Sequence, residues 1–323
     1  MKAVKITKYG PPDVIQIQDV QKPCPNDNQI LIRIKATAAA DPDCAFRKGK
    51  PFISRFFTGL TRPQQIPGDV FAGTIEAVGK NVSLFQAGDD VYGSSGTSFG
   101  TNAQYIVLNQ DEAIALKPKN ISFEEAAAIS EGSLTALPFI RDNGKVKKGL
   151  RILINGASGG VGVYAVQLAK FFGAHVTAVC GPANEEFIKT LGADRVIDYT
   201  KEDFTKTDER YDVILDAVGK STFSKCKNAL APNGVYLTTV PSAGVMLSMI
   251  VTSKSKDKRA VFAATGLRKP AEKREDLLFL GSLIESGRLK AVIGRQFTLE
   301  QMADAHRYVE TGHKRGSAAI TIN

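Results

Sequence analysis

The residues with most chemistry in them lie between Arg151 and Lys170, RILINGASGGVGVYAVQLAK. An apolar run ends at Asn155, and the small-residue turn Gly156-Ala157-Ser158-Gly159-Gly160-Val161-Gly162 leads into a helical pattern with Ala165, Leu168 and Ala169 on one face. Against the spacing GxGxxG, Ala157, Gly159 and Gly162 take the three glycine positions. Each small residue has a mechanical reason. The first permits a tight turn off the strand, Gly159 lets backbone approach a pyrophosphate, and Gly162 lets helix and strand pack closely. Phosphates then rest on free N–H groups at the helix N-terminus, Ser158, Gly160 and Val161 among them. A bare glycine turn means little. Here a strand precedes it, a helix follows, and a second strand, Ala174–Cys180, comes after the helix, so the turn reads as a dinucleotide site.

The second strand ends in Cys180-Gly181-Pro182-Ala183-Asn184. An Asp or Glu there would hold the ribose hydroxyls and select NAD. None is present, so NADP(H) is expected over NAD(H), with Asn184, Lys189 and Tyr199 the nearest groups to a 2′-phosphate.

The elements that must position this turn alternate. Strands are expected at Arg151–Asn155, Ala174–Cys180, Arg195–Ile197, Asp212–Asp216 and Val235–Thr239, and helices at Val161–Phe172 and Asn184–Leu191. Such alternation with short connections implies a doubly wound parallel sheet. Before it, Gln29–Lys35, Thr74–Val78 and Ala103–Leu108 alternate apolar and polar residues as half-buried strands do. Gly68, Gly73, Gly79, Gly88, Gly93, Gly96 and Gly100 punctuate this part, the mark of a strongly bent β domain with many tight turns. Ser122-Phe-Glu-Glu125 has the spacing of a capping box and opens a helix. After residue 270 come a helix (Lys273–Ser286), a strand (Leu289–Ile293), a helix (Leu299–Glu310) and a strand (Ala318–Ile322). The expected domains are therefore 1–120 with 270–323, and 121–269.

The chain has 323 residues, 43% hydrophobic and 23% charged, which excludes a disordered or fibrous protein. No apolar run is long enough to span a bilayer and the first residues do not read as a signal peptide, so a cytoplasmic protein is expected. Cys24, Cys44, Cys180 and Cys226 are widely spaced, and the histidines are only His175, His306 and His313. That set suits neither a zinc site nor a disulfide framework, so no metal is expected. The net charge of +9 favours anions without choosing among them. The basic run Lys254–Arg259 reads as a solvated loop or helix end. With no RNP-type motif or basic–aromatic stripe found, nucleic acid is not an expected partner. No amphipathic basic helix speaks for a membrane face.

Over its whole length the chain resembles the zinc-independent quinone oxidoreductase (zeta-crystallin-like) branch of the medium-chain dehydrogenase/reductase superfamily. The resemblance is carried by MKAV with YGPPDV, by IPGDVFAGTIEAVGKNVSLFQAGDDVYG (66–93), GSLTAL (132–137), NGASGGVGVYAVQLAK (155–170), LGADRVIDY (191–199) and GRLKAVIGRQFTLEQMADAHRYVETGHKRG (287–316). It implies a bent GroES-like β catalytic domain built from both chain ends, a Rossmann domain between them, and a homodimer. It also implies that Thr135 meets the nicotinamide end, that Tyr199 lies against the adenosine phosphate, and that Val218 and Thr239 line the cofactor cleft; for Thr135 and Thr239 plain packing is the alternative. Where zinc relatives have Gly-His-Glu, this chain has Gly68-Asp69-Val70. Departures from the branch are Ala40, where many members carry Asn or Thr, Ala183, where many carry Arg, and Ser317, where relatives often have Lys.

Without a Lewis acid, alcohol oxidation is disfavoured. A hydride acceptor must then spread the incoming charge itself, as quinones and α,β-unsaturated carbonyls do. The expected activity is NADPH-dependent reduction of such a carbonyl; the alternative is an NADPH-binding protein with a mainly structural or RNA-binding role. For the substrate pocket the sequence offers Asp43, which orients a pocket group or caps a turn, Phe46 with Phe52, Phe56 and Phe57, which wall a pocket or pack in the core, and Tyr92, a proton donor or a structural residue. No residue is assigned as the catalytic acid.

Overall fold

A computed structural model describes residues 1–255 and 257–323. The chain forms two compact units, Met1–Glu131 with Gly266–Asn323, and Gly132–Thr265. The first unit opens with an antiparallel pair, β1 (Lys2–Ile6) and β2 (Ile15–Asp19). Then come β3 (Gln29–Ala39), α1 (Asp41–Lys48), α2 (Arg55–Thr58), β4 (Val70–Val78), β5 (Asp90–Ser94), β6 (Tyr105–Asn109) and β7 (Ala113–Leu116). Helix α3 (Phe123–Pro138) leads out of it, its first turn closed by the expected box: the Ser122 N–H donates to Glu125 at 2.8 Å and the Glu125 N–H to Ser122 Oγ at 3.2 Å.

The second unit runs β8 (Arg151–Asn155), α4 (Gly162–Phe171), β9 (His175–Cys180), α5 (Glu185–Thr190), β10 (Arg195–Asp198), β11 (Tyr211–Asp216), α6 (Phe223–Cys226), β12 (Leu230–Thr238), α7 (Ala243–Thr252) and β13 (Arg259–Phe262). The chain then returns to the first unit with α8 (Pro270–Glu285), β14 (Ile293–Thr298), α9 (Met302–Glu310) and β15 (Ser317–Thr321).

In the first unit the sheet order is β14-β15-β3-β4-β5-β7, with β6 also on β3. Residues Gln29–Arg33 of β3 pair with β6 and Ala36–Ala39 with β15, so the long strand serves two neighbours in turn. Its register against β4 shifts twice, after Leu31 and after Ile34, and these irregularities bend the sheet. Gly73 sits at the bend without a left-handed φ; a side chain there would strike the Arg33 carbonyl and stand 2.9 Å from Ile34 Cα. The core is Ile30, Ile32, Ile34, Phe71, Ile75, Val91 and Ile114 from the sheet with Met302, Ala305 and Val309 from α9.

The sheet of the second unit is parallel throughout, in the order β10-β9-β8-β11-β12-β13. The chain moves outward from β8 to β10, then crosses back to β11 on the other side of β8. This reversal is a topological switch point, and all strand carboxyl ends lie on one side. Leu153, Val179, Ile214, Leu230 and Tyr236 pack one layer, while Val163, Tyr164, Val166 and Leu168 of α4 are fully buried.

Three boundaries depart from the sequence reading. The units part at Glu131/Gly132 and Thr265/Gly266, not at 120 and 270. The first half of α3 belongs with the terminal strand: Thr321 donates to Glu124 at 3.0 Å, and Ser317 to Glu131 at 2.8 Å. The strand expected at Leu289–Ile293 begins only at Ile293. Leu289 instead closes the end of α8, where the Arg288 and Leu289 N–H groups both donate to the Leu283 carbonyl. Of the basic run 254–259, Lys254 follows α7 and Arg259 opens β13, while Lys256 lies outside the described residues.

Candidate dinucleotide site

The glycine turn sits at the carboxyl end of β8, beside the switch point. The N–H groups of Gly156 and Ala157 both donate to the Val179 carbonyl, at 3.1 and 3.0 Å, which ties the turn to the end of β9. Gly156, with φ +80°, makes the left-handed corner that the sequence reading gave to Ala157. Ala157 is fully buried. Gly162 does what its place in the motif requires: a Cβ on it would strike the Gly156 carbonyl and stand 2.7 Å from Ala157 Cα, so a bare residue lets α4 lie against the turn. Gly159 differs. Its φ is outside the left-handed region, and a Cβ would meet only the Gly156 oxygen, at 3.4 Å. The space beside Gly159 is therefore open, and that is the fit a pyrophosphate needs. Ser158, Gly159 and Val161 are half-buried and Gly160 is buried.

Around the turn the strand ends gather the other expected residues. Cys180 is buried, and burial pushes its thiol up to about 11, so it is an inert wall rather than a nucleophile. Gly181 lies under Tyr199, whose hydroxyl is 3.3 Å from where a Gly181 Cβ would be, and Tyr199 is exposed. Asn184 caps off the short turn before α5, its N–H on the Gly181 carbonyl at 3.0 Å. Lys189 points its ammonium at Glu185 and Glu186 of its own helix, at 3.0 and 2.9 Å, in exposed pairs.

At the ends of β11 and β12, Val218 is exposed and Thr239 half-buried, its hydroxyl donating to the Ala217 carbonyl at 3.2 Å. Thr135 is half-buried one turn beyond Gly132 on α3, and Gly132 brings that helix against the turn because a side chain there would strike the Gly160 carbonyl and the Tyr164 ring.

One organiser went unread in the sequence. Asp216 is fully buried at the end of β11 and accepts five hydrogen bonds: from Asn155 Nδ2 (3.0 Å), from the N–H groups of Val218 (3.3 Å), Gly219 (3.0 Å) and Ser221 (2.8 Å), and from the Tyr236 hydroxyl (3.1 Å). It fixes the turn that carries Val218. The signal was present: an acid ending the apolar strand DVILD has to be satisfied by something.

The pocket residues lie in the first unit. Tyr92 is fully buried, and its hydroxyl donates to the Leu277 carbonyl at 2.6 Å; burial drives its pKa up further, so it is a core residue and not a donor in waiting. Asp43 caps α1, accepting the Ala40 N–H at 2.8 Å. Burial, then the nearby Asp69, push its carboxyl up to about 8, and burial holds Asp69 itself up to about 6 against the pull of Lys273. Phe46 packs edge-on to Phe99 at 5.2 Å. Core packing, expected for Phe52 and Phe56, is not found: they are 61% and 68% exposed. The four cysteines are free. Among the described residues no group of three or more His, Cys, Asp or Glu side chains is placed to hold a metal ion.

Comparison with known proteins gives this architecture its relatives. The alcohol dehydrogenase GroES-like domain family matches residues 26–119, and the zinc-binding dehydrogenase family matches residues 191–320. A chloroplast envelope quinone oxidoreductase homolog from Arabidopsis thaliana is 30% identical over 99% of this chain and 98% of its own. The chain belongs to the quinone oxidoreductase branch of the medium-chain dehydrogenase/reductase superfamily. A 2-methylene-furan-3-one reductase of Solanum lycopersicum is 34% identical over 99% of this chain and 79% of its own. The Escherichia coli quinone oxidoreductase solved with NADPH superposes with a TM-score of 0.86 at 25% identity, covering 99% of this chain and all of that one. For this quinone oxidoreductase relative, the bent first unit is thus the GroES-like domain and the parallel-sheet second unit the Rossmann domain.

Proposed function

We propose that this chain is an NAD(P)H-dependent oxidoreductase that reduces a quinone or an α,β-unsaturated carbonyl. The observation that carries the reading is the open backbone at Gly159, set at the switch point of a parallel sheet, in a chain related end to end to enzymes named for this chemistry. When bound, a reduced nicotinamide supplies the hydride. The chain's part is to hold it. Gly159 and the N–H groups around Ser158–Gly162 would face the pyrophosphate, Tyr199 and Gly181 the adenosine end, and Val218, Thr239 and Thr135 the remainder. The residue set supports a metal-free reaction, because Val70 offers no donor atom where zinc relatives have Glu. An acceptor that delocalises negative charge needs no metal. The structural or RNA-binding alternative loses ground, since the relatives are named as reductases.

For the cofactor, NADPH is proposed over NADH, because no acid follows Val179 to repel a 2′-phosphate. Asn184 and Tyr199 are the groups proposed to meet it, while Lys189 faces Glu185 and Glu186 on its own helix. A homodimer is proposed through β13, which ends the Rossmann sheet with its outer edge unpaired among the described residues. The test is oxidation of NADPH and NADH with a panel of quinones and enones. Turnover with NADPH and an enone or quinone is expected. No turnover with any of them, despite measurable NADPH binding, would return the chain to the non-catalytic reading.

A further inference from the structure

Between Asp43 and Asp69 the chain has no acidic residue, yet it carries Arg47, Lys48, Lys50, Arg55 and Arg62 together with Phe46, Phe52, Ile53, Phe56, Phe57 and Leu60. This is a basic–aromatic stretch that the sequence reading passed over. In the structure its large apolar side chains face outward: Phe52 is 61% exposed, Ile53 64%, Phe56 68% and Leu60 55%. A soluble surface rarely leaves such a cluster bare without a use for it.

The segment is also held at its base. Arg47 is buried in an ion pair with Glu310. The Tyr9 hydroxyl bonds Thr58 Oγ1 at 2.9 Å, and the Arg55 guanidinium lies over both the Tyr9 ring (4.4 Å) and the Phe52 ring (5.4 Å). Phe52 meets Phe56 edge to face at 6.0 Å. The apolar tip is therefore presented on a packed support. Cations share the same segment. Lys50 is exposed, and Lys5 and Arg62 share the walls of an open groove of about 260 Å³ with Thr7, Gln64 and Gln65, ample for a phosphate group.

We propose that residues 48–62 are a docking surface for an anionic lipid bilayer, with Phe52, Ile53, Phe56 and Leu60 entering the boundary between headgroups and acyl chains while Lys5, Lys50, Arg55 and Arg62 meet lipid phosphates. Exposed apolar side chains interspersed with cations, with no acid between Asp43 and Asp69, gain from both layers of such a surface. A second copy is a poorer occupant, because an isologous contact would set the cations against each other. RNA is poorer too: Ile53 and Leu60 offer no ring for a base to stack on.

The test is co-sedimentation of the full chain with phosphatidylcholine vesicles, plain or carrying roughly 30 mol % phosphatidylglycerol, at about 0.15 M salt. Wild type should partition onto the anionic vesicles and not onto the plain ones. The triple variant Phe52→Ser/Ile53→Ser/Phe56→Ser should lose about tenfold or more in partitioning with its melting temperature unchanged, and Lys50→Gln/Arg62→Gln should lose as much. Three results would overturn the proposal: no binding of wild type to anionic vesicles; equal binding by the serine variant, which would leave only the general attraction of a chain of charge +9; or lipid-free self-association, or RNA binding, that the serine variant abolishes while vesicle binding persists.

Discussion

Gly159 and Gly162 stand three residues apart in one turn, yet the structure gives them opposite jobs, and paired substitutions separate these. At Gly162 a Cβ would drive into the Gly156 carbonyl and lie 2.7 Å from Ala157 Cα, and those are backbone atoms that yield only if α4 shifts off the turn. Overpacking of this kind costs about 3 kcal/mol, and in a unit of this size that is a fall in melting temperature of about 10 °C. At Gly159 the nearest atom to a Cβ is 3.4 Å away and φ is not left-handed, so Gly159→Ala should leave stability within about 1 kcal/mol of wild type. The space its side chain takes is the space proposed for phosphate. Gly159→Val, larger still, should weaken NADPH binding by about a hundredfold or more, equivalent to about 2.8 kcal/mol. Thermal melts and fluorescence titration with NADPH measure the two effects on the same samples. Wild-type affinity in Gly159→Val would show the loop to be a mere connector, and an unshifted melt in Gly162→Ala would refute the packing argument.

Asp43 has a folded pKa above its unfolded one, so the folded state keeps the extra proton between about pH 4 and pH 8 and stability drains away as pH rises through that window. Asp43→Asn should therefore gain on wild type by about 2–4 kcal/mol between pH 5 and pH 9 in urea titrations; a gain that is flat with pH would mean the carboxyl is already charged at pH 5. Asp216→Ala strands five donors and should cost about 3 kcal/mol or more, with loss of NADPH binding as the 217–221 turn loosens. Tyr92→Phe removes only the bond to Leu277 and should cost about 1 kcal/mol with kcat/KM essentially unchanged; a fall of tenfold or more would restore Tyr92 as a donor.

What could be read ahead of the structure follows from burial. Strands covered on both faces, RILIN and HVTAVC, show as apolar runs and were placed within a residue, and so were the helix and turn between them. The tight corner was assigned one residue late because Ala157 fills the motif position while Gly156 takes the left-handed φ. Helix α7 escaped notice because apolar residues cover both sides of it, with Leu247, Ile250 and Val251 all exposed, so no 3.6-residue stripe stands out. The same ambiguity hid the tip at Phe52 and Phe56. Nothing local distinguishes an aromatic side chain that turns inward from one propped outward by Tyr9 and Arg55. Asp43 and Tyr92 were visible as chemistry-bearing types, but their capping and core roles depend on Ala40 and Leu277, the second far away in sequence.

The placement of β15 sets the order in which the protein can mature during synthesis. The Rossmann unit is continuous, so all its strands have left the ribosome once Thr265 has emerged. The GroES-like unit is begun before it and finished after it. Strand β15, Ser317–Thr321, slots between β14 and β3 in the interior of the sheet, so until β15 appears, half of β3 waits with an open edge. Between the emergence of Thr265 and that of β15 the nascent chain thus carries one domain able to close and one that is not, and the unclosed edge is where a stalled or truncated chain would stick to its neighbours.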